Sequence, residues 1–254
     1  MYNLYSSPTL TNVTFSGNIA AYHGGGIENS YSGPTIRNTI LWGNTALYWA
    51  QVSNETSMPV ISDSVVQDGC PLNSICSNII TADPRLSTLG NYGGPAADSG
   101  QATLTFALLP GSSAIAATST NCPTTDQRGV PRGTTCSIGA YEARGFSLIK
   151  AGGDNQHTVI NTAFGASLVI SVTSAYSEPV NGGQLNLAAP SAGASVSGTL
   201  PLKLTIANGA VSQAIAANGT AGTYTVTASA NGAASVVFNL LNSLSPVYLP
   251  WIIK

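Results

Sequence analysis

An all-β chain of successive units is predicted by three features of the sequence: a repeat of 25–26 residues at the start, a turn-rich stretch bracketed by cysteines, and a closing series of short alternating runs. The repeat reads Pro8-Thr-Leu-Thr-Asn-Val-Thr-Phe-Ser-Gly-Asn18, Pro34-Thr-Ile-Arg-Asn-Thr-Ile-Leu-Trp-Gly-Asn44 and Pro59-Val-Ile-Ser-Asp-Ser-Val-Val-Gln-Asp-Gly69. Aligned on proline, it gives the columns Leu10/Ile36/Ile61, Asn12/Asn38/Asp63 and Phe15/Leu41/Val66. A repeat of this length buries its apolar face only by stacking on copies of itself. With β-rich content and a polar rung, residues 1–84 read as the C-terminal coils of a right-handed parallel β-helix. The Asn12/Asn38/Asp63 column is expected to form an internal amide ladder, and Gly24-Gly-Gly26 a turn of one coil. Met1-Tyr-Asn-Leu-Tyr5 enters a coil directly, with neither signal-peptide pattern nor polar first coil, so the chain is expected to be the end of a longer secreted protein.

Composition narrows the function classes. Charged residues are 7% of the chain, against about 25% in ordinary soluble domains. Ser, Thr, Asn and Gly carry the polarity, which suits strands and tight turns. The net charge is −2 and no basic cluster exists, so the electrostatic footprint of a nucleic-acid binder is missing. No apolar run reaches the roughly 18 residues of a membrane-spanning helix. Four cysteines, Cys70, Cys76, Cys122 and Cys136, allow three pairings. The local pairing 70–76 with 122–136 is the most economical, and a 15-residue loop so closed gains about 3 kcal/mol in the loop-entropy account. Zinc is the rival, but neither pair has Cys-x2-4-Cys spacing and both His23 and His157 are remote. Disulfides imply an oxidising compartment.

From about Ile79 the repeat gives way to a different text. It runs Asp83-Pro-Arg-Leu-Ser-Thr-Leu-Gly-Asn-Tyr-Gly-Gly-Pro95, then Leu104-Thr-Phe-Ala-Leu-Leu-Pro-Gly-Ser-Ser-Ala-Ile115, Cys122-Pro-Thr-Thr-Asp-Gln-Arg-Gly-Val-Pro-Arg132 and Cys136-Ser-Ile-Gly-Ala-Tyr-Glu142. This succession resembles the choice-of-anchor Q family, whose members end a β-helix with Asp-Pro, Asn-x-Gly-Gly-Pro, Leu-Leu-Pro-Gly-Ser and Asp-Gln-Arg-Gly in that order. Phe15-Ser-Gly-Asn18 and His23-Gly-Gly-Gly-Ile27 likewise resemble the repeats of polymorphic outer-membrane-type β-helices. The resemblance covers about residues 6–143. It implies a bacterial secreted or cell-surface scaffold with anchoring from varied C-terminal elements, and it implies no activity. Residues 85–145 are accordingly expected to be a loop-rich cap.

The densest polar cluster falls in that cap: Asp83, Asp126, Arg128, Arg132 and Glu142. Paired carboxylates could serve as general acid and base, and two arginines could grip an anionic sugar. The structural reading has Arg128 in buried ion pairs with Asp126, Asp83 or Glu142, pinning a cap that has few ladders of its own. We favour structure over catalysis. A β-helix lyase needs clustered carboxylates for calcium and a base, yet residues 1–84 hold only Glu28, Glu55, Asp63, Asp68, Asp83 and Arg37 as charged groups. No catalytic residue, metal site or cofactor is assigned. Trp42, Tyr48 and Trp49 are the candidates for stacking on sugar rings.

Residues 146–155 read as a linker or first strand, and residues 156–243 as short alternating strands at 157–162, 167–173, 183–189, 202–206, 210–216, 222–229 and 233–240. Seven such strands match an immunoglobulin-like sandwich. Thr162-Ala-Phe-Gly-Ala-Ser-Leu-Val-Ile-Ser-Val-Thr173, Glu178-Pro-Val-Asn-Gly182 and Asn218-Gly-Thr-Ala-Gly-Thr-Tyr-Thr-Val-Thr-Ala228 resemble bacterial Ig-like domains of the invasin/intimin kind. Tyr224 is placed as in a tyrosine corner, where its hydroxyl would bond to backbone. Residues 244–254 form an apolar tail, a sorting signal or a last strand. The expectation is a non-enzymatic structural or adhesion module, monomeric within a longer chain, outside a bacterial cell or on its surface. Its candidate partners are a surface polysaccharide or a protein of a host or neighbouring cell. The rival is a polysaccharide lyase or hydrolase whose active site lies largely in coils upstream of Met1.

Overall fold

The computed structural model describes residues 1–95 and 100–244. Among them there is no helix, and hence none that could cross a membrane. The chain divides into two compact units: Met1–Gly145 with Tyr176–Pro179, and Phe146–Ala175 with the residues from Val180 onward.

The first unit contains β1 (Tyr2–Leu4), β2 (Thr9–Thr11), β3 (Thr14–Ser16), β4 (Ile27–Ser30), β5 (Thr35–Arg37), β6 (Ile40–Trp42), β7 (Val52–Glu55), β8 (Val60–Val66), β9 (Ile75–Ile80), β10 (Leu86–Gly90) and β11 (Thr105–Leu108). Strands β1, β4 and β7 pair in parallel, as do β2, β5, β8 and β9, while β3 and β6 run parallel into the second half of β8. The apolar columns of the repeat are the register itself. Leu10 faces Ile36 and Ile36 faces Ile61; Phe15 faces Leu41 and Leu41 faces Val66. Ile27, Ile36, Leu41, Val52, Ile61 and Val66 are buried together as the core of this stack. Each such side chain contributes about 1.5–3 kcal/mol by leaving water. The triple glycine permits close approach between successive rungs: a Cβ on Gly25 would stand 2.4 Å from the Thr45 carbonyl oxygen. Parallel pairing ends with β9, whose Cys76 faces Ile61, and β10 and β11 form an antiparallel pair.

The polar column corrects one expectation. Asn12, Asn38 and Asp63 do not form an amide ladder with one another. They sit at corners with φ of 57°, 48° and 49°, the left-handed region that Asn and Asp tolerate best. Asn12 donates to Gly139 O, Asn38 donates to Thr120 O and Asn121 O, and Asp63 accepts from Asn78. The amide ladder is built elsewhere, at Asn3, Asn29 and Asn54: Asn3 Nδ2 donates to Asn29 Oδ1 and Asn29 Nδ2 to Asn54 Oδ1, both at 2.8 Å.

The second unit contains β12 (Ser147–Gly152), β13 (Gln156–Val159), β14 (Leu168–Thr173), β15 (Gln184–Ala188), β16 (Leu202–Thr205), β17 (Ala210–Gln213), β18 (Gly222–Ser229) and β19 (Val236–Ser243). They form two sheets, β12-β14-β17 and β13-β19-β18-β15-β16. Every pairing is antiparallel except β13 with β19. Inward residues alternate along each strand, as in Leu168, Ile170 and Val172 of one sheet and Tyr224, Val226 and Ala228 of the other. The segment 146–155 is not a free linker: β12 pairs along its length with β14, and Leu148 is buried in the core. Tyr224 also departs from expectation. Its hydroxyl is buried and has no hydrogen-bond partner, so the corner bond is not made. Desolvation pushes its phenol up to about 12. The apolar tail, from residue 245 on, lies outside the described residues.

Candidate functional site

Two groups of side chains in the first unit carry the chemistry that the sequence marks out. The first is the cap network around Asp126. The turn Asp126–Gly129 is closed by Gly129 N donating to Asp126 O, with Gly129 at φ 82°. That turn brings Arg128 back onto the Asp126 carboxylate, where Nε and Nη2 both donate to Oδ2 at 2.9 and 2.7 Å. The same carboxylate accepts the backbone N–H of Arg128, Val130 and Glu142. Arg128 also donates to Glu142 O and Tyr92 O, and its guanidinium lies 3.5 Å from the centre of the Tyr141 ring. Beside it, Arg132 Nη1 donates to Glu142 Oε2 at 2.7 Å and to Ser137 O, and Nη2 to Gly139 O. Glu142 accepts in addition from Ser137 N and Oγ. The disulfide Cys122–Cys136 closes the loop that carries Asp126, Arg128 and Arg132, and Cys70–Cys76 closes the turn before β9.

Burial sets the electrostatics. The side chains of Asp126 and Arg128 are 0% and 2% exposed, those of Glu142 and Arg132 10% and 1%. Desolvation raises the Glu142 carboxyl above its ordinary value, opposed by the Ser137 and Arg132 hydrogen bonds. It lowers the Arg132 guanidinium, opposed chiefly by Glu142. Tyr141 is raised by burial and then by Glu178, which accepts from its hydroxyl at 3.1 Å and from Arg144 N. Asp83 is engaged elsewhere: Oδ1 accepts from Arg85 N, and Oδ2 lies 3.7 Å from Arg85 Nη2. The structure thus gathers four of the five expected cluster residues and adds Tyr141 and Ser137. Gly139 fits between cap and stack because it lacks a side chain. At φ 94° its Cβ would stand 2.7 Å from both Ile40 Cδ1 and Thr14 Oγ1.

The second group is aromatic. Tyr48 and Trp49 are 53% and 52% exposed. His23 joins them, its ring centre 5.6 Å from Tyr48 and 5.4 Å from Trp49, with Glu28 Oε1 3.9 Å from His23 Nδ1. The parallel bridge His23↔Tyr48 sets this juxtaposition. The 25-residue spacing of the repeat contains that signal, since His23 and Tyr48 are one period apart. Trp42 is separate: it ends β6, is half-buried, and among the described residues shares no ring contact with the pair. Among the described residues no group of three or more His, Cys, Asp and Glu lies where it could hold a metal ion. Compared with known proteins, the chain matches no family model, and neither a curated protein nor a solved structure is significantly similar to it.

Proposed function

We propose that this chain is a non-enzymatic structural and adhesive module that works outside a bacterial cell or on its surface. In this reading the parallel stack is a right-handed β-helix of the choice-of-anchor Q type, the disulfide-bonded loops close its end, and the second unit is an immunoglobulin-like spacer. The in-register repeat columns and the two-sheet order with β13 parallel to β19 support that architecture. The two disulfides fit an oxidising setting. The observation that carries the non-catalytic reading is the saturation of the Asp126 carboxylate. It accepts from five protein donors, counting Arg128 N, Nε and Nη2, Val130 N and Glu142 N, and its side chain is wholly buried. A general acid or base needs a free position within reach of substrate. The ligand surface in this reading is the exposed His23–Tyr48–Trp49 face, with an extended surface polysaccharide lying across its rings.

The test pairs turnover with retention. The chain should release no product from a panel of acidic and neutral polysaccharides. It should be retained on immobilised polysaccharide, and retention should fall on Trp49→Ala and Tyr48→Ala with unchanged thermal stability. Turnover above background would overturn the non-enzymatic reading. Retention indifferent to both substitutions would overturn the assignment of the binding face.

A further inference from the structure

A carboxylate borders the exposed aromatic face, and no hydrogen bond within the chain satisfies it. β4 follows the triple glycine with Ile27, Asn29 and Ser30 buried, so Glu28 is the one residue of the four left at the surface. The turn before it is tight: at φ 57°, a Cβ on Gly24 would lie 2.8 Å from Glu28 Cβ. That turn brings His23 beside Glu28, with Nδ1 3.9 Å from Oε1, too far for a hydrogen bond. Among the described residues the Glu28 carboxylate accepts no hydrogen bond. Its side chain is 33% exposed and that of His23 41%, next to the half-exposed Tyr48 and Trp49. All four groups can therefore be reached from solvent. The Tyr48 and Trp49 ring centres are 6.0 Å apart, close enough for one ligand group to meet both.

Charge selects among polysaccharides. Residues 1–84 hold the carboxylates of Glu28, Glu55, Asp63, Asp68 and Asp83 against a single Lys or Arg side chain, Arg37. Arg37 lies in β5, which belongs to a different sheet from β4. The Met1 ammonium donates to Gly26 O and makes no ion pair with Glu28. A uronate would meet Glu28 with like charge. A neutral sugar gains ring stacking and a hydroxyl donated to the carboxylate. A protonated amino group adds attraction to that carboxylate and to the negative faces of Tyr48 and Trp49, which acts within about 6 Å of a ring centre. We propose that this face selects polysaccharides that carry free amino groups, Glu28 pairing with the ammonium while Tyr48 and Trp49 meet the sugar ring. The inference rests on the reading of the face as a polysaccharide surface, and it names the class that surface takes.

The probes are hexamers of glucosamine and of N-acetylglucosamine, with a galacturonate hexamer as the anionic control. They are titrated near neutral pH into the whole chain and followed by NMR. The amino hexamer should bind about fivefold more tightly than its acetylated form, the scale of one exposed ion pair, and the uronate more weakly than either. Glu28→Gln keeps the side-chain size and should bring the first two within about twofold of each other. Asp68→Asn removes an exposed carboxylate outside the face, at φ 68° where Asn is tolerated, and should leave the preference unchanged. In the unaltered chain the preference should shrink as salt is added. Equal binding of the amino and acetylated hexamers would overturn the inference and leave the polysaccharide reading standing. Binding of none of the three would overturn that reading as well. A preference that survives Glu28→Gln, ignores salt, or falls equally on Asp68→Asn would overturn the assignment to Glu28. A lysine-rich peptide that binds more tightly than the amino hexamer would make the occupant a basic protein segment instead.

Discussion

Asp126 shows how a single side chain can set the position of a whole loop. Replacing it by Asn keeps the size but presents an NH2 group to backbone and guanidinium donors, and it strips Arg128 of its counter-ion in a site that water does not reach. Removing one partner of a buried pair costs about 3–5 kcal/mol. Asp126→Asn should therefore lose stability on that scale in chemical denaturation, and a loss below about 1 kcal/mol would show that the network is not what holds the cap. Tyr224 predicts the opposite sign. Its hydroxyl is buried without a partner, so Tyr224→Phe should be neutral or stabilising by about 1 kcal/mol. The phenol also has a pH signature. Folded, it keeps its proton up to about 12; unfolded, it ionises near the ordinary value of 10. Unfolding then releases a proton, so the contribution is fully present below pH 10 and is lost as pH rises through about 12. The difference between wild-type and Tyr224→Phe stability should shift across that window and stay flat below it. A flat difference throughout would show that the hydroxyl is hydrated in the folded chain. Neither residue's behaviour was legible in the sequence: Asp126-Gln-Arg-Gly names the right groups without saying how many donors converge, and a tyrosine near a strand start does not reveal where its hydroxyl ends up.

At the scale of elements, the apolar columns were readable because parallel stacking keeps equivalent residues in register, so spacing alone names the partners. The Asn/Asp column was misread for a physical reason. Asn is favoured both in amide ladders and at left-handed corners, and composition does not separate the two. The true ladder, Asn3/Asn29/Asn54, has the same 26- and 25-residue spacing but precedes the prolines on which the repeat aligns. Asn29 is its middle member and is fully buried. Asn29→Ala would leave the Asn3 amide N–H and the Asn54 carbonyl without their partners in one step. At about 1–3 kcal/mol for each of the two groups, the loss should be about 2–6 kcal/mol. Asn38→Gly provides the contrast, since it retains the left-handed corner and gives up the hydrogen bonds to Thr120 and Asn121. If Asn29→Ala is no worse than Asn38→Gly, the ladder is not a main support of the stack. The second unit was legible as alternating strands, and the open point was β12, where Phe146-Ser-Leu-Ile-Lys-Ala-Gly-Gly153 ends in glycines and reads equally as linker or first strand.

Across the whole molecule, the two units are held by different means. The second rests on a continuous apolar core that spans both its sheets, and it holds no cysteine. The first has a smaller core in its stack and relies on side-chain ladders, the buried ion pairs and both disulfides. Reduction should therefore act on one unit alone. Cys122 and Cys136 are 14 residues apart, and a loop of that size is worth about 3 kcal/mol in the loop-entropy account. Cys136 is also fully buried among the groups that seat Arg132, so opening the bond frees the segment that carries Ser137 and Gly139. Calorimetry with and without reductant should show one transition falling and a second unchanged. Cys122→Ser with Cys136→Ser should reproduce the shift without reagent, and Cys70→Ser with Cys76→Ser should give a smaller one because its loop is shorter. A single transition that moves as a whole would show that the two units melt as one, and that the division between staple and core does not govern stability.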